Sequence, residues 1–337
     1  MNPRYRRLLI PGLLIALLVI VIASSLADRA EGAEPAPVEV SRIDDPRVTE
    51  SSGLVVSRLV DDLAYTINDS GNAPILFAVR ISTGAVVGTT TLGVDLVDAE
   101  ALSIDAGGTI WIADTGDNRG QRTDAALLAL PEPGAVDMFV KSVARYPLTY
   151  PDGPRDVEAL AIDPSTGRKL LLTKGLLAGE IYAVPDQLVI GTPNAVTAVD
   201  ATAPGIVTDA AFTPDGRYVV ARDYGAAHVI DAKTYAEVTR LPLPDAEQGE
   251  TLAMETAGRS FLVGSEGAGS ALVRIPFAEP ARATTTPTPT AAPTSVAPER
   301  TSGDPSEDNG FAGATWFWAA AVMALLATIC VAATRKR

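Results

Sequence analysis

Short apolar runs alternate with clusters of Gly, Asp, Asn and Pro through the middle of the chain, and no long helical period interrupts them. Spaced short strands separated by turn signals predict an all-β domain. One apolar phrase recurs: E-A-L-S-I-D begins at Glu100, E-A-L-A-I-D at Glu158 and E-T-L-A-M-E at Glu250. Related phrases begin at Ser52 and Thr208. The copies lie roughly 50 residues apart, which is the spacing of propeller blades.

Each copy is followed by a second strand, a Gly-containing loop and a third strand. Four copies then supply an outer strand, whereas the fifth runs into a Thr- and Pro-rich segment. We predict that residues 38–44 supply the missing strand, because this pairing closes the ring and removes a free sheet edge. The pattern therefore predicts a five-bladed β-propeller over residues 37–278. Six blades are the alternative, if the long second unit contains a degenerate blade.

Both ends of the chain predict export. Residues 1–27 combine a basic head, a long apolar run and a small-residue exit, so they form a secretory signal peptide or an uncleaved signal anchor. Residues 311–334 are apolar and uncharged, which fits a transmembrane helix. The basic residues 335–337 place that end in the cytoplasm. Residues 279–310 are rich in Thr and Pro and are expected to form an extended stalk.

These expectations describe a single-pass protein of the cell membrane, with its propeller outside the cell. The single cysteine, Cys330, lies in the predicted membrane helix, so the domain is stabilised without disulfides. The net charge of −14 argues against a nucleic-acid partner. Abundant Arg, Ala and Val, with few lysines, is typical of a GC-rich bacterial genome.

Blade symmetry is expected to bring Glu100, Glu158 and Glu250 around one mouth of the central channel. Asp98 and Asp156 precede two of these glutamates and add negative charge. Carboxylates that lie close together need protons, hydrogen bonds or a cation. Oxygen ligands suit a hard ion, so we expect Ca²⁺ first, with Mg²⁺ or Mn²⁺ as alternatives. The competing interpretation is that the glutamates accept backbone hydrogen bonds and fasten the blades together.

The loops after the second strands add candidate binding residues on the same face. These are Asp69, Asn72, Asp114, Asp117, Asn118, Lys174, Arg222, Asp223 and Glu266. Asp, Asn and Gly are also what tight turns require, which is the simpler interpretation of the loops that begin at Asp69 and Asp114. Lys174 and Arg222 are expected to neutralise the acidic ring by ion pairing. His228 is the only histidine, and Ser265 lacks the spacing of a nucleophile elbow, so Ser–His catalysis has little support.

Several phrases resemble those of known propeller families. They are the run at 112–119 (I-A-D-T-G-D-N-R), the run at 212–216 (F-T-P-D-G) and the E-A-L openings. They resemble the NHL and WD40-like propellers of exported bacterial proteins, and they are similar to calcium-dependent lactonase and strictosidine-synthase-like propellers. The resemblance covers the whole predicted domain at the level of pattern. It implies the fold more specifically than the activity, because one fold hosts many activities.

Three functions are compatible with these features. The first is a membrane-tethered binding module that presents its upper face to an extracellular protein, glycan or small ligand. The second is a divalent-metal-dependent hydrolase of the lactonase or esterase kind, with Asp117 or Asn118 near the ion. The third is a structural envelope component that contacts partners along its blade edges. Whether the chain is an enzyme stays open at this point.

Overall fold

A computed structural model describes residues 36–280 of the chain. This part contains 22 β-strands in five sheets and no helix, so the predicted five-bladed propeller is confirmed. Residues 1–27, the stalk beyond residue 280, the predicted membrane segment 311–334 and the basic tail lie outside the described residues. Within residues 36–280, no helix has the length and apolar character needed to cross a membrane.

Each sheet is one blade, and its strands follow one another from the ring axis outwards. Blade 1 contains β2 (Ser51–Val56), β3 (Leu63–Asn68), β4 (Ile75–Arg80), β5 (Val86–Leu92) and β9 (Met138–Val140). Blade 2 contains β6 (Ala99–Ile104), β7 (Thr109–Asp114), β8 (Ala126–Pro131), β10 (Ala144–Thr149) and β14 (Asn194–Ala195). Blade 3 contains β11 (Val157–Ile162), β12 (Lys169–Thr173), β13 (Ala178–Ala183) and β15 (Thr197–Pro204).

The last two blades have four strands each. Blade 4 contains β16 (Asp209–Phe212), β17 (Tyr218–Arg222), β18 (Ala226–Asp231) and β19 (Glu237–Pro242). Blade 5 contains β20 (Thr251–Met254), β21 (Ser260–Gly264), β22 (Ser270–Pro276) and β1 (Val38–Ile43). Each inner strand contacts the inner strands of its two neighbours around the ring.

The core lies between the blades. Each of five hydrophobic clusters joins one pair of adjacent blades, and together they complete the circle. Stacked sheets cover both faces of an inner strand, so β6 and β11 are buried at every position rather than at alternate ones. The approach is close at Gly53, where an added Cβ would lie 2.5 Å from the amide nitrogen of Leu102 in the next blade.

The first strand closes the ring, as the sequence predicted. β1 pairs antiparallel with β22, from Val38 opposite Arg274 to Ile43 opposite Ser270. The long second unit does not contain a sixth blade. Its additional residues form β9, which pairs parallel with β5 and thus extends blade 1 at its outer edge.

Candidate functional site

The inner strands begin, and the second strands end, at one mouth of the channel. A set of acidic side chains faces this mouth, and we call this set the acidic mouth. Its members are Asp69, Asp98, Glu100, Asp156, Glu158, Glu250 and Glu266. Their charges act on one another, because each of Asp98, Glu100, Glu158 and Glu266 has a pKa that is raised in part by other members of the set.

β-Bulges aim two of the glutamates. Glu100 lies between Ala99, which pairs with Asp114, and Ala101, which pairs with Ala113, so it is the additional residue of a bulge. Glu158 occupies the matching bulge in β11. A bulge leaves one residue unpaired and redirects its side chain. The repeated phrase therefore places its leading carboxylate off the sheet ladder, towards the mouth.

Three carboxylates form a compact group. Asp69, Asp98 and Glu100 each offer a carboxylate oxygen, and these oxygens all lie within 4.8 Å of one another. Asp69 comes from the β3–β4 loop of blade 1, whereas the other two come from blade 2. Gly116 leaves room for them, since an added Cβ there would lie 2.3 Å from Oε1 of Glu100 and 2.5 Å from Oδ2 of Asp98.

The group is electrostatically strained without a proton or a cation. Burial raises the pKa of Glu100 to about 10, and the charges of Glu158, Asp69 and Asp98 add to the increase. Burial, with a hydrogen bond and repulsion from Asp69, raises the pKa of Asp98 to about 7. Ser52 opposes the shift at Glu100, because its Oγ donates a hydrogen bond to Oε2 at 2.9 Å. At neutral pH Glu100, and in part Asp98, therefore retains a proton or shares a cation.

The arrangement of Asp69, Asp98 and Glu100 fits a hard divalent cation. Ca²⁺ binds oxygen ligands at about 2.3–2.6 Å, so two oxygens on one ion lie no further apart than about 5 Å. The 4.8 Å limit of the group meets this condition. Carboxylate oxygens are also the donors that such ions prefer.

The other side of the mouth carries a lysine. Nζ of Lys174 lies 3.0 Å from Oε2 of Glu158, which is the ion pair expected for this lysine. Glu158 is 2% exposed, and its buried Oε1 has no hydrogen-bond partner within residues 36–280. Burial raises the pKa of Glu158 to about 8, against the lowering effect of Lys174. Glu158 and Glu250 belong to the acidic mouth, but the compact group contains only Asp69, Asp98 and Glu100.

Arg222 has a different role from the one expected. The residue is 1% exposed, and its guanidinium donates hydrogen bonds to the carbonyl oxygens of Thr251 at 2.8 Å and Gly264 at 2.9 Å. It thus joins blade 4 to blade 5 through carbonyls rather than through a salt bridge. Burial lowers its pKa to about 10. Burial also raises the pKa of Glu250, while Lys174 and Arg222 oppose that increase.

Hydroxyl groups donate hydrogen bonds that join several blades to the next. Ser52 Oγ donates to the carbonyl oxygen of Glu100 at 3.1 Å, Thr115 Oγ1 to that of Val157 at 2.9 Å, and Thr208 Oγ1 to that of Gly249 at 3.1 Å. In residues 36–280, no backbone amide of a neighbouring blade donates to the carboxylates of Glu100 or Glu158. The carboxylate of Glu100 does accept one hydrogen bond across a blade boundary, from Oγ of Ser52 at 2.9 Å.

Several predicted loop residues are engaged in their own loops. Asp114 is fully buried, and its Oδ1 accepts the amides of Val97 at 3.1 Å and Asp98 at 2.9 Å, so it holds the segment that carries Asp98. Asp117 accepts two amides of its own turn, and its own amide donates to Oδ1 of Asp156 at 2.7 Å. Asn118 is exposed.

Of the remaining loop residues, two are engaged in their own loops and one belongs to the acidic mouth. Asn72 donates a hydrogen bond to the carboxylate of Glu50 and to loop carbonyls. Asp223 accepts the amides of Gly225 at 2.8 Å and Ala226 at 2.6 Å. Glu266 belongs to the mouth, because burial and then the charges of Glu250, Asp69 and Glu50 raise its pKa to about 7.

His228 is not available as a base for a serine nucleophile. The ring is 1% exposed, its Nδ1 lies 2.7 Å from Oε2 of Glu237, and its Nε2 lies 3.0 Å from Oδ2 of Asp223. Both ring nitrogens are thus engaged with carboxylates in blade 4. This agrees with the limited support for Ser–His catalysis in the sequence.

Asp98 is a member of the compact group that the sequence did not predict as a ligand. The available signal was the D-x-E spacing of Asp98 and Glu100, repeated at Asp156 and Glu158. Residues two apart on a regular strand share one face. In this blade the bulge and the neighbouring loop decide the geometry, so the spacing alone does not show that Asp98 reaches the group.

No protein-family model matches the chain, and a comparison with curated proteins gives no match. Among solved structures, a protein provisionally assigned as a gluconolactonase aligns with a TM-score of 0.45 and 14% identity, over 68% of this chain and 76% of its own. A gluconolactonase from Xanthomonas campestris aligns with a TM-score of 0.46 and 14% identity, over 67% of this chain and 71% of its own. Similarity at this level transfers neither an activity nor a residue role.

Proposed function

We propose that the chain is an exported, membrane-tethered binding module whose acidic mouth holds a divalent cation, with Ca²⁺ as the first candidate. The observation that carries this proposal is the group of Asp69, Asp98 and Glu100, whose carboxylate oxygens lie within 4.8 Å of one another. The location outside the cell rests on the sequence of the two terminal segments.

The three carboxylates would supply only part of the coordination of the ion. Ca²⁺ takes about 6–8 oxygen ligands, so positions stay free for water or for oxygens of a ligand. Asp69 reaches the group from blade 1, while Asp98 and Glu100 reach it from blade 2. The cation would thus join two blades and present an open coordination side to the mouth.

A second function, hydrolysis of an ester or lactone, is favoured by Glu158. When bound, a divalent cation polarises a carbonyl group or activates water. The free Oε1 of Glu158 and its pKa of about 8 suit a carboxyl group that gives or takes a proton near neutral pH. Lys174 holds the other oxygen of this carboxylate and so fixes its orientation.

Calorimetric titration of the full-length protein with Ca²⁺ tests the proposed cation site. We expect one site in the wild type and its loss in Glu100→Gln, which keeps the shape of the side chain but removes the charge. Asp61→Asn, at an exposed turn of the opposite face, serves as the matched control and keeps the site. Absence of binding to the wild type, or unchanged binding to Glu100→Gln, overturns the proposal.

A screen of esters and lactones separates the two functions. If the protein is a hydrolase, turnover depends on Ca²⁺ and falls by roughly 100-fold or more in Glu158→Gln, the usual contribution of a general acid or base. Turnover that ignores this substitution excludes the assigned role of Glu158. Calcium binding without turnover of any ester or lactone supports the binding module alone.

A further inference from the structure

Two leucines with highly solvent-exposed side chains lie beside the acidic mouth. Leu176 is 82% exposed and Leu177 is 91% exposed, the highest values for large apolar side chains in residues 36–280. They follow Lys174 closely, in the loop between β12 and β13. Ile206 and Tyr224, 38% and 39% exposed, lie on the same side of the ring. These four residues are called the apolar rim. Grouped apolar side chains in solvent mark an interaction site.

The loops of the rim are held together firmly. The amide of Ile206 donates a hydrogen bond to the carbonyl oxygen of Gly175 at 2.7 Å. A Cβ added at Gly205 would lie 2.7 Å from the carbonyl oxygen of Leu177, so the two loops are in close contact. Ile206 adopts a φ of 53°, a conformation that is unfavourable for a β-branched residue. The hydrogen bond to Gly175 and the close contact with Leu177 therefore hold the backbone of Ile206 beside the two leucines.

The rim is continuous with the mouth. Nζ of Lys174 lies 6.0 Å from the ring centroid of Tyr224 and 3.0 Å from Glu158. Asp209 pairs with Arg222 at the end of the β16–β17 ladder, so Ile206 and Tyr224 lie just beyond the same end. A ligand held at the cation and Lys174 would extend naturally over the four apolar side chains.

We infer that the ligand of the mouth is a free acyl compound, whose carboxylate or ester oxygens meet the cation and Lys174 and whose alkyl chain lies on the apolar rim. This inference rests on the proposed cation-binding function. The charges favour a free ligand over an anionic lipid surface, because the cation and Lys174 can neutralise a single carboxylate, whereas the acidic mouth and the net charge of −14 repel an extended anionic surface. An alkyl chain also matches a rim that offers three aliphatic side chains and one aromatic ring.

The test is the affinity of the calcium-loaded, full-length protein in lipid nanodiscs for butanoate, hexanoate and octanoate, with empty nanodiscs as the blank. We expect affinity to increase roughly two- to fourfold for each added methylene group, as for burial of a hydrocarbon chain. The double variant Leu176→Ser/Leu177→Ser removes side chains that make little core contact, so the fold and calcium affinity are retained. Its affinity is expected to become nearly independent of chain length.

Leu59→Ser is the matched control, because Leu59 is 69% exposed in the β2–β3 turn of the opposite face. This variant keeps the chain-length dependence of the wild type. Equal affinity of the wild type for butanoate and octanoate, with calcium still bound, overturns the acyl-ligand inference and leaves the cation site standing. If the wild type binds no calcium, both the cation site and the acyl-ligand inference are overturned.

Other occupants of the rim give different results. An unchanged chain-length dependence in the double variant, or its loss in Leu59→Ser, assigns the effect to adsorption elsewhere and overturns the inference. Mass photometry of the same samples detects a second copy of the chain as occupant: a dimer that dissociates in the double variant overturns it as well. Uptake equal to that of empty nanodiscs assigns the alkyl chains to the lipid and likewise overturns it.

Discussion

Nζ of Lys174 lies 3.0 Å from Oε2 of Glu158, while Oε1 of the same buried carboxylate has no hydrogen-bond partner in the part of the chain that the structure describes. The amide of Lys174 donates a hydrogen bond to the carbonyl oxygen of Asp156, which lies two residues before Glu158. In blade 2, the amide of Gly116 donates to the carbonyl oxygen at the equivalent position. Asp69 makes the matching bond in blade 1. One loop position thus carries an acid, a glycine or a lysine in successive blades. The mouth is divided into a side suited to a cation and a side that has its own ammonium group.

The raised pKa values predict how stability depends on pH in the absence of divalent ions. The pKa values of Glu100, about 10, and Glu158, about 8, exceed the ordinary value of 4.5, so the folded state binds more protons than the unfolded state above about pH 5. The free energy of unfolding therefore falls as pH rises from about 5 to 8, by up to roughly 1.4 kcal/mol per pH unit for each such group. Urea unfolding in chelator measures this dependence, and a stability that is constant or increasing over this range contradicts it.

Lys174→Met extends this pH dependence. The ammonium group lowers the pKa of Glu158, so its removal raises that pKa above about 8 and the loss of stability continues to higher pH. The exposed Lys233 provides a matched control, and Lys233→Met keeps the wild-type profile. Identical profiles for Lys174→Met and the wild type would show that the ion pair does not control Glu158.

Gly116→Ala is expected to weaken calcium binding without unfolding the protein. The added methyl group meets the ends of the Glu100 and Asp98 side chains, which can rotate away. Because this displaces two of the three ligands, the calcium affinity falls about tenfold or more, which corresponds to roughly 1.4 kcal/mol. Calorimetric titration measures the change. Gly225→Ala is the control, since its nearest neighbour would be 3.9 Å away; an equal effect of both substitutions would refute the role of Gly116.

Arg222→Met is expected to destabilise the ring by about 3–5 kcal/mol. The substitution leaves the carbonyl oxygens of Thr251 and Gly264 without their donor and removes a buried positive charge near Asp209. Chemical unfolding gives the free energy, and Arg119→Met, at an exposed position, changes it by less than about 0.5 kcal/mol. A loss below about 1 kcal/mol for Arg222→Met would mean that blades 4 and 5 are held together without this side chain.

The sequence predicted the fold well because each blade repeats one local pattern. The E-x-L-x-[IM]-[DE] phrase marks an inner strand whichever blade contains it, and the residues that form β1 were recognisable from the strand that blade 5 lacks. The short strands β9 and β14 were not predicted. Each pairs parallel with the edge of a blade formed by a distant part of the chain, which local periodicity does not encode.

The site was predictable only as far as the symmetry holds. Rotation of the repeat brings Glu100, Glu158 and Glu250 to one mouth, and their charges do interact there. The loops decide which carboxylates lie close enough to share an ion. Asp69 reaches Glu100 across a blade boundary, whereas Lys174 forms an ion pair with Glu158. Such contacts between blades depend on side-chain length and loop conformation, and the repeat specifies neither.

The central claim, a cation held by Asp69, Asp98 and Glu100, is tested most directly by thermal unfolding of the full-length wild type and Glu100→Gln, each in chelator and in excess Ca²⁺. In chelator, Glu100→Gln melts at or above the wild-type temperature, because the amide is neutral in both states and avoids the cost of binding a proton on folding, which the raised pKa of Glu100 imposes at neutral pH. Calcium at 100 times its Kd adds about 2.7 kcal/mol to the wild type, which raises its Tm by about 5–10 °C. The variant gains less than about 1 °C. A wild-type Tm that does not respond to calcium, or an equal gain in Glu100→Gln, would contradict the account.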